Sequence, residues 1–266
     1  MSAPDEPNRP TGPDRRPDTG TPMDAEVPLT GGRTRAGIVR VGDTVRRPRT
    51  ARSTYVHAVL RRLASTPGMP RLLGVDEQDR EVLQYLPGDT GHGLGRPDDA
   101  VLTRLAAIVR GMHDVLAGTP EAAGAETVCH NDLAPWNLVL RAGRPVGFID
   151  FDGAAPGRRC DDIAYLLWTF LDIGAAEPSV SEQARAMRLF CDAYAAAGTV
   201  PVREHARVLP AMLDEQERIL RFRRDQASTD EDEQVRVFAA DRVEDIRAAM
   251  AWVRRHRERV AAALTG

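Results

Sequence analysis

Val128-Cys129-His130-Asn131-Asp132-Leu133-Ala134-Pro135-Trp136-Asn137-Leu138-Val139-Leu140, followed by Val146-Gly147-Phe148-Ile149-Asp150-Phe151-Asp152, decides how this chain reads. Residues 138–140 and 146–151 are short apolar runs. The segment Arg141-Ala142-Gly143-Arg144-Pro145 between them carries turn residues, so the pair predicts a β-hairpin. With the turn centred on Gly143 and Arg144, Asn137 falls opposite Asp150, and an amide oxygen meets a carboxylate at the hairpin's open end. Oxygen donors suit Mg²⁺, which takes a few ligands from protein and the rest from phosphate and water. Asp132 lies within a loop's reach of Asn137, where it would take the proton of an attacking hydroxyl. A buried polar loop ahead of an ordinary hairpin is the plainer alternative, and the joint order of five polar positions outweighs it.

The spacing of His130, Asp132 and Asn137 fits the His-x-Asp-x-x-x-x-Asn loop of kinases, and Asp150 stands where such enzymes place a second metal carboxylate. Together with Ile149-Asp150-Phe151-Asp152 and Asp161-Asp162-Ile163-Ala164, these residues resemble the aminoglycoside phosphotransferase family. That family belongs to the kinase-like small-molecule phosphotransferases, which include choline kinases. The resemblance covers residues 30–170 well and the remainder weakly. It implies an α+β, two-lobed protein-kinase-like fold, with a small β-rich N-terminal lobe and a larger helical C-terminal lobe. It also implies ATP and Mg²⁺ as cofactors and a small hydroxylated acceptor. On that pattern Asp132 is the base, Asn137 and Asp150 hold metal with Asp152 assisting, and the backbone of Gln84, Tyr85 and Leu86 meets adenine. His130 and Asp162 support the loop from behind. Many members carry Gly after the His; Asn131 here matches choline-kinase-like members and leaves the substrate branch open.

The bulk composition restricts the remaining classes. A chain of 266 residues, 42% hydrophobic and 28% charged, suits a soluble globular protein and excludes a wholly disordered one. A net charge of -3 leaves strong non-specific binding to nucleic acid unexpected. No charged leader precedes an apolar run and no apolar stretch is long enough to span a bilayer, so a cytoplasmic protein without membrane partners is expected. The three cysteines, Cys129, Cys160 and Cys191, are an odd number without metal-site spacing and read as buried reduced thiols. Every basic side chain other than histidine is Arg; the chain has no Lys.

Three regions are expected: a Pro-rich disordered tail over 1–27, a small ATP-binding lobe over 28–88, and a large catalytic and acceptor-binding lobe over 89–266. Gly31-Gly32 and a hairpin turning at Gly42-Asp43 open the small lobe. Val45 and Arg47 share one strand face, which makes Arg47 the phosphate cation in place of the usual Lys. The helix predicted over 53–63 carries His57 where a kinase has Glu, so Arg47 must lean on another acid such as Asp150 if the assignment holds. Strands are predicted at 71–75 and 81–86, and a flexible glycine-rich connector at 88–95. Helices are predicted over 100–116 (capped by Asp98 or Asp99, with His113 packed and hydrogen-bonded), 161–168, 187–197, 203–223 and 241–263. Across 203–266 acids and arginines balance, 13 of each, which favours a small alcohol or amino-alcohol acceptor over a polycationic antibiotic. Two rivals remain: a nucleotide-binding pseudo-enzyme serving as an interaction module, and a metal-dependent phosphoester hydrolase.

Overall fold

A computed structural model of the protein describes residues 25–29, 37–175 and 178–266. Most of the expected tail, the Gly31-Gly32 pair and Ala36 lie outside the described residues.

The N-terminal part is one antiparallel sheet. Its strands are β1 (Val27–Pro28), β2 (Val39–Val41), β3 (Thr44–Pro48), β4 (Leu72–Val75) and β5 (Arg80–Gln84), in the order β1-β2-β3-β5-β4. Gly42, with φ 55°, makes the tight β2–β3 turn that the Gly-Asp pair predicts. The β3–β5 register sets Arg47 opposite Glu81. Helix α1 (Ser53–Arg62) links β3 to β4 and buries Val56, Val59 and Leu60, with Leu63 following in a 3₁₀ turn.

The rest of the chain is mainly helical. It runs through β6 (Asp89–Thr90), α2 (Asp99–Leu116), β7 (Thr127–Cys129), β8 (Leu138–Arg141), β9 (Arg144–Phe148), β10 (Ala155–Gly157), α3 (Arg159–Phe170), α4 (Val180–Ala196), α5 (His205–Thr229) and α6 (Glu233–Thr265). The Asp98 carboxylate accepts from Val101 N at 2.8 Å and so caps α2. Ser179 and Glu182 form a capping box at the start of α4. Helix α4 packs on α2, α5 on α3, and α5 and α6 run as a long antiparallel pair. One buried cluster extends from Val56, Leu60 and Leu83 of the sheet region through Met112, Leu138 and Phe148 to Phe170 and Tyr194. Each such side chain is worth about 1.5–3 kcal/mol when fully buried, so the hairpin strands are anchored by their apolar faces. The architecture is α+β, with a β-sheet N-terminal region and a helical C-terminal region.

Two expectations are corrected. The hairpin turns at Ala142 and Gly143, not at Gly143 and Arg144: Arg141 pairs with Arg144, and a bulge between Val139 and Leu140 shifts the ladder so that Leu138 faces Phe148. Asn137 therefore accepts, through its carbonyl, from Ile149 N at 2.9 Å, one residue short of Asp150. The connector at 88–95 is not a loose segment either. Asp89–Thr90 pair with β8 as a third strand, and a Cβ at Gly88 would stand 2.2 Å from the Leu140 carbonyl oxygen. A second close approach joins the sheet region to the hairpin: Phe148 N donates to Gly68 O at 3.0 Å, where a Cβ on Gly147 would collide with the Gly68 carbonyl.

Candidate active site

The loop after β7 is built around a buried carboxylate. Asp162, fully buried on α3, accepts from the backbone N–H of His130 at 2.7 Å and of Asn131 at 2.8 Å, and from His113 Nε2 at 2.9 Å. Burial alone would push the Asp162 carboxyl up; the His113 hydrogen bond, the nearby histidines and the backbone donor hold it below the usual carboxylate range. With Nε2 donating, His113 accepts at Nδ1 from the Tyr194 hydroxyl at 2.8 Å, and Tyr194 in turn accepts from Arg159 at 3.1 Å. Every donor and acceptor in this chain is consistent in sense. Asp161, the neighbouring acid, instead closes a capping box with Arg158 at the helix start. Cys129 lies beside His113 and Asp162, but its thiol donates to Arg158 O at 3.1 Å and burial pushes its pKa up, so the group is hydrogen-bonded and not thiolate-bearing.

Asn131 has φ 63° and Asp150 has φ 67°, the left-handed region that Asn and Asp tolerate best after Gly. This explains why Gly and Asn both serve after the histidine. Asn131 also donates its amide to Gly153 O at 2.9 Å, tying the loop to the turn that follows Asp150. His130 is buried, with Nε2 donating to Ile149 O at 3.1 Å and Nδ1 accepting from Asp132 N at 3.3 Å, which selects the neutral Nε2–H tautomer. The His130 ring is the spacer between Asp132 on one side and the strand leading to Asp150 on the other.

Asp132 is oriented by three side-chain donors. Tyr165 OH reaches Oδ1 at 3.0 Å, and Asn137 Nδ2 and Trp136 Nε1 reach Oδ2 at 2.7 and 3.3 Å. Burial and the adjacent Asp132 charge push the Tyr165 phenol well above its ordinary value, so it stays a donor. Asn137 spends its amide nitrogen on Asp132, which leaves its amide oxygen without a partner among the described residues. That oxygen, Asp150 and Asp152 form an all-oxygen donor set, the chemistry a hard divalent cation takes. The residues fit Mg²⁺.

The cation faces these acids from the sheet. Arg47 is buried; its Nε donates to Glu81 at 2.5 Å, one terminal nitrogen to Asp150 at 3.3 Å and the other to Asp152 at 2.9 Å. Desolvation opposes the charge, and the Asp152, Glu81 and Asp150 carboxylates more than offset it, so the guanidinium is held further charged. Glu81 also accepts from Ser53 Oγ and from His57 Nε2 at 3.0 Å, and these partners depress its pKa against the desolvation of its site. His57 thus touches the acid that holds Arg47. The acid missing from α1 is supplied by strand β5. Arg46 points to the other face and meets Asp76 at 3.4 Å.

At the edge of the sheet, Gln84 N donates to Arg71 O at 2.8 Å and Tyr85 N to Asp43 O at 2.9 Å. Of the three residues expected to meet adenine, only Leu86 keeps an N–H without a partner among the described residues.

A sequence model of the phosphotransferase enzyme family matches residues 40–197, well over half of the chain, including every group described above except the late helices. The protein belongs to the phosphotransferase enzyme family. A further relative is the trifolitoxin immunity protein of Rhizobium leguminosarum bv. trifolii, 31% identical over 197 residues, which are 65% of this chain and 75% of that protein. Among solved structures, the phosphotransferase fold here is similar to Plasmodium vivax ethanolamine kinase, with TM-score 0.59, 12% identity and coverage of 79% and 77% of the two chains. It is also similar to a choline/ethanolamine kinase family protein from Mesorhizobium loti, with TM-score 0.56, 16% identity and 86% and 89% coverage. An aminoglycoside phosphotransferase from Alicyclobacillus acidocaldarius gives TM-score 0.54, 12% identity and 88% and 92% coverage. At these identities the structural likeness speaks for the fold. No helix among the described residues of this phosphotransferase is long and apolar enough to cross a membrane.

Three groups at the site escape a linear reading. Glu81 announces itself only as an acid inside an apolar strand, and its meaning needs the β3–β5 register. Tyr165 sits one helical turn beyond Asp162 and Asp161, where its hydroxyl looks like ordinary core decoration. Tyr194 lies 81 residues from the histidine it contacts.

Proposed function

We propose that the protein is an ATP- and Mg²⁺-dependent phosphotransferase that moves the γ-phosphoryl group to a hydroxyl of a small molecule. The observation that carries this reading is the convergence on one cleft of an oriented carboxylate, Asp132, an outward amide oxygen, Asn137, and a buried guanidinium, Arg47, bridging Asp150 and Asp152. Asn137, Asp150 and Asp152 would hold Mg²⁺, whose bound charge would neutralise the phosphate oxygens. Arg47 grips phosphate with its two terminal nitrogens, while Glu81, Ser53 and His57 fix it from behind. Leu86 N–H is the donor for the adenine ring. Asp132, its plane set by Tyr165, Asn137 and Trp136, accepts the hydrogen bond of the acceptor hydroxyl and takes its proton as the phosphoryl group transfers. Direct attack needs no phospho-enzyme, and alignment supplies most of the rate. The buried thiols and the need for ATP fit a reducing, cytoplasmic setting.

The acceptor we favour is a small alcohol or amino alcohol. A second reading rests on the 31% identity to an immunity protein: the acceptor is then a toxic compound that phosphorylation disarms. The test is ATP binding by calorimetry, then acceptor-dependent ADP release across ethanolamine, choline, homoserine, sugars, aminoglycosides and macrolides. Asp132→Asn should keep Mg-ATP affinity within a few fold and lose about 10²–10⁴ in turnover. Wild-type turnover in that variant would remove Asp132 from the mechanism. ATP binding with no turnover on any acceptor would favour the pseudo-enzyme.

A further inference from the structure

The outer groove between α5 and α6 holds a second concentration of charge, outside the cleft just described. A cavity of about 420 Å³ there is lined by Glu217, Leu220, Arg221 and Arg224 of α5 and by Arg247, Met250 and Arg254 of α6. Its floor is apolar: Leu220 and Met250 belong to a buried cluster with Val243 and Ile246, against which Trp168 packs. Its walls are four guanidiniums and one carboxylate. That carboxylate is already engaged, Arg254 donating to Glu217 at 3.2 Å, and Arg247 pairs with Glu244 one turn back along α6. The guanidiniums of Arg221 and Arg224 have no acidic partner among the described residues.

Elsewhere on these helices arginines are answered locally, as Arg218 is by Glu215 and Arg242 by Asp245. In the groove they are not. Like charges gathered around one concavity repel each other, and the low-dielectric floor weakens the screening that would relieve them. A counter-charge seated between the helices removes that repulsion. Guanidinium groups match phosphate and carboxylate oxygens in pairs, and the groove offers them along both helices and not at one point. A monovalent ion would meet only part of this set.

We infer that the α5–α6 groove is a binding site for a small multivalent anion bearing phosphate or carboxylate groups, held by Arg221 and Arg224 with Arg247 and Arg254. The experiment is calorimetric titration of the full chain with inorganic tripolyphosphate and, separately, with citrate, in low-salt buffer without Mg²⁺. Wild-type protein should bind at least one of them at the groove, more weakly as ionic strength rises. The double substitution Arg221→Ala/Arg224→Ala should weaken that binding by about tenfold or more, because two charge-assisted contacts are lost. Its melting temperature without anion should equal or exceed that of the wild type, since repulsion is relieved and no ion pair is broken. Arg47→Ala should leave the groove affinity within a few fold. Binding of tripolyphosphate alone, of citrate alone or of both would name the ligand's anionic group. No binding of either, or affinity unchanged in the double variant, or binding abolished by Arg47→Ala and kept in the double variant, would overturn the inference.

Discussion

Glu81 and Asp162 are the two buried carboxylates behind the site, and they solve opposite problems. Glu81 holds a charge: it grips Arg47 and is itself gripped by Ser53 and His57. Asp162 holds a backbone: it collects the N–H groups of His130 and Asn131, with neutral His113 as its third donor. Arg47 keeps two other acids if Glu81 is lost, whereas the loop N–H groups have no second acceptor. The sheet side of the cleft is therefore built to tolerate a swinging cation, and the helical side is built to keep a loop still.

Removing Asp162 should produce the largest effect. Asp162→Ala strands buried donors and should cost about 3–5 kcal/mol, read by chemical denaturation. A loss no greater than that of Glu81→Ala would break the contrast. Acid comes next. Both carboxylates have folded pKa values below their unfolded ones, about 3.9 for Asp and 4.3 for Glu. The unfolded chain then holds more protons below about pH 5, so stability is complete above that point and falls as pH drops through the folded values. Denaturant melts between pH 3 and 6 should show this limb, and Asp162→Asn should flatten it. Glu81→Gln should keep the fold and raise the KM for ATP by about tenfold, the equivalent of one lost contact. An unchanged KM would detach Glu81 from the phosphate cation. Tyr194→Phe removes one hydroxyl from the His113 relay and should cost about 1 kcal/mol. Arg46→Ala, on the far face of β3, should have the smallest effect on KM, well below that of Arg47→Ala; the reverse ranking would shift the working register by one.

Much of this arrangement was legible in the linear chain, because local chemistry encodes it. The period-2 alternation that pairs Val45 with Arg47 survives folding, and so does the apolar stripe that buries α2. What was lost depended on partners distant in sequence. The hairpin register slipped because Ala142 adopts φ 50°, a conformation its side chain does not advertise, and because a bulge adds one residue beside Val139. Glu81 was read only as strand because its value lies in facing Arg47 across β3 and β5. Asp161 and Asp162 are chemically identical neighbours; only the helix's orientation turns one to the solvent-side cap and the other inward to the loop.

The buried guanidinium at Arg47 has a consequence for how the protein can be found. Reagents that report nucleotide-binding proteins by delivering an acyl group rely on a nucleophilic amine beside the phosphates. A guanidinium stays protonated at any working pH and does not accept that group. With no lysine anywhere in the chain, such probes will pass over this protein even at full nucleotide occupancy, and a survey built on them will record a gap where a nucleotide site stands.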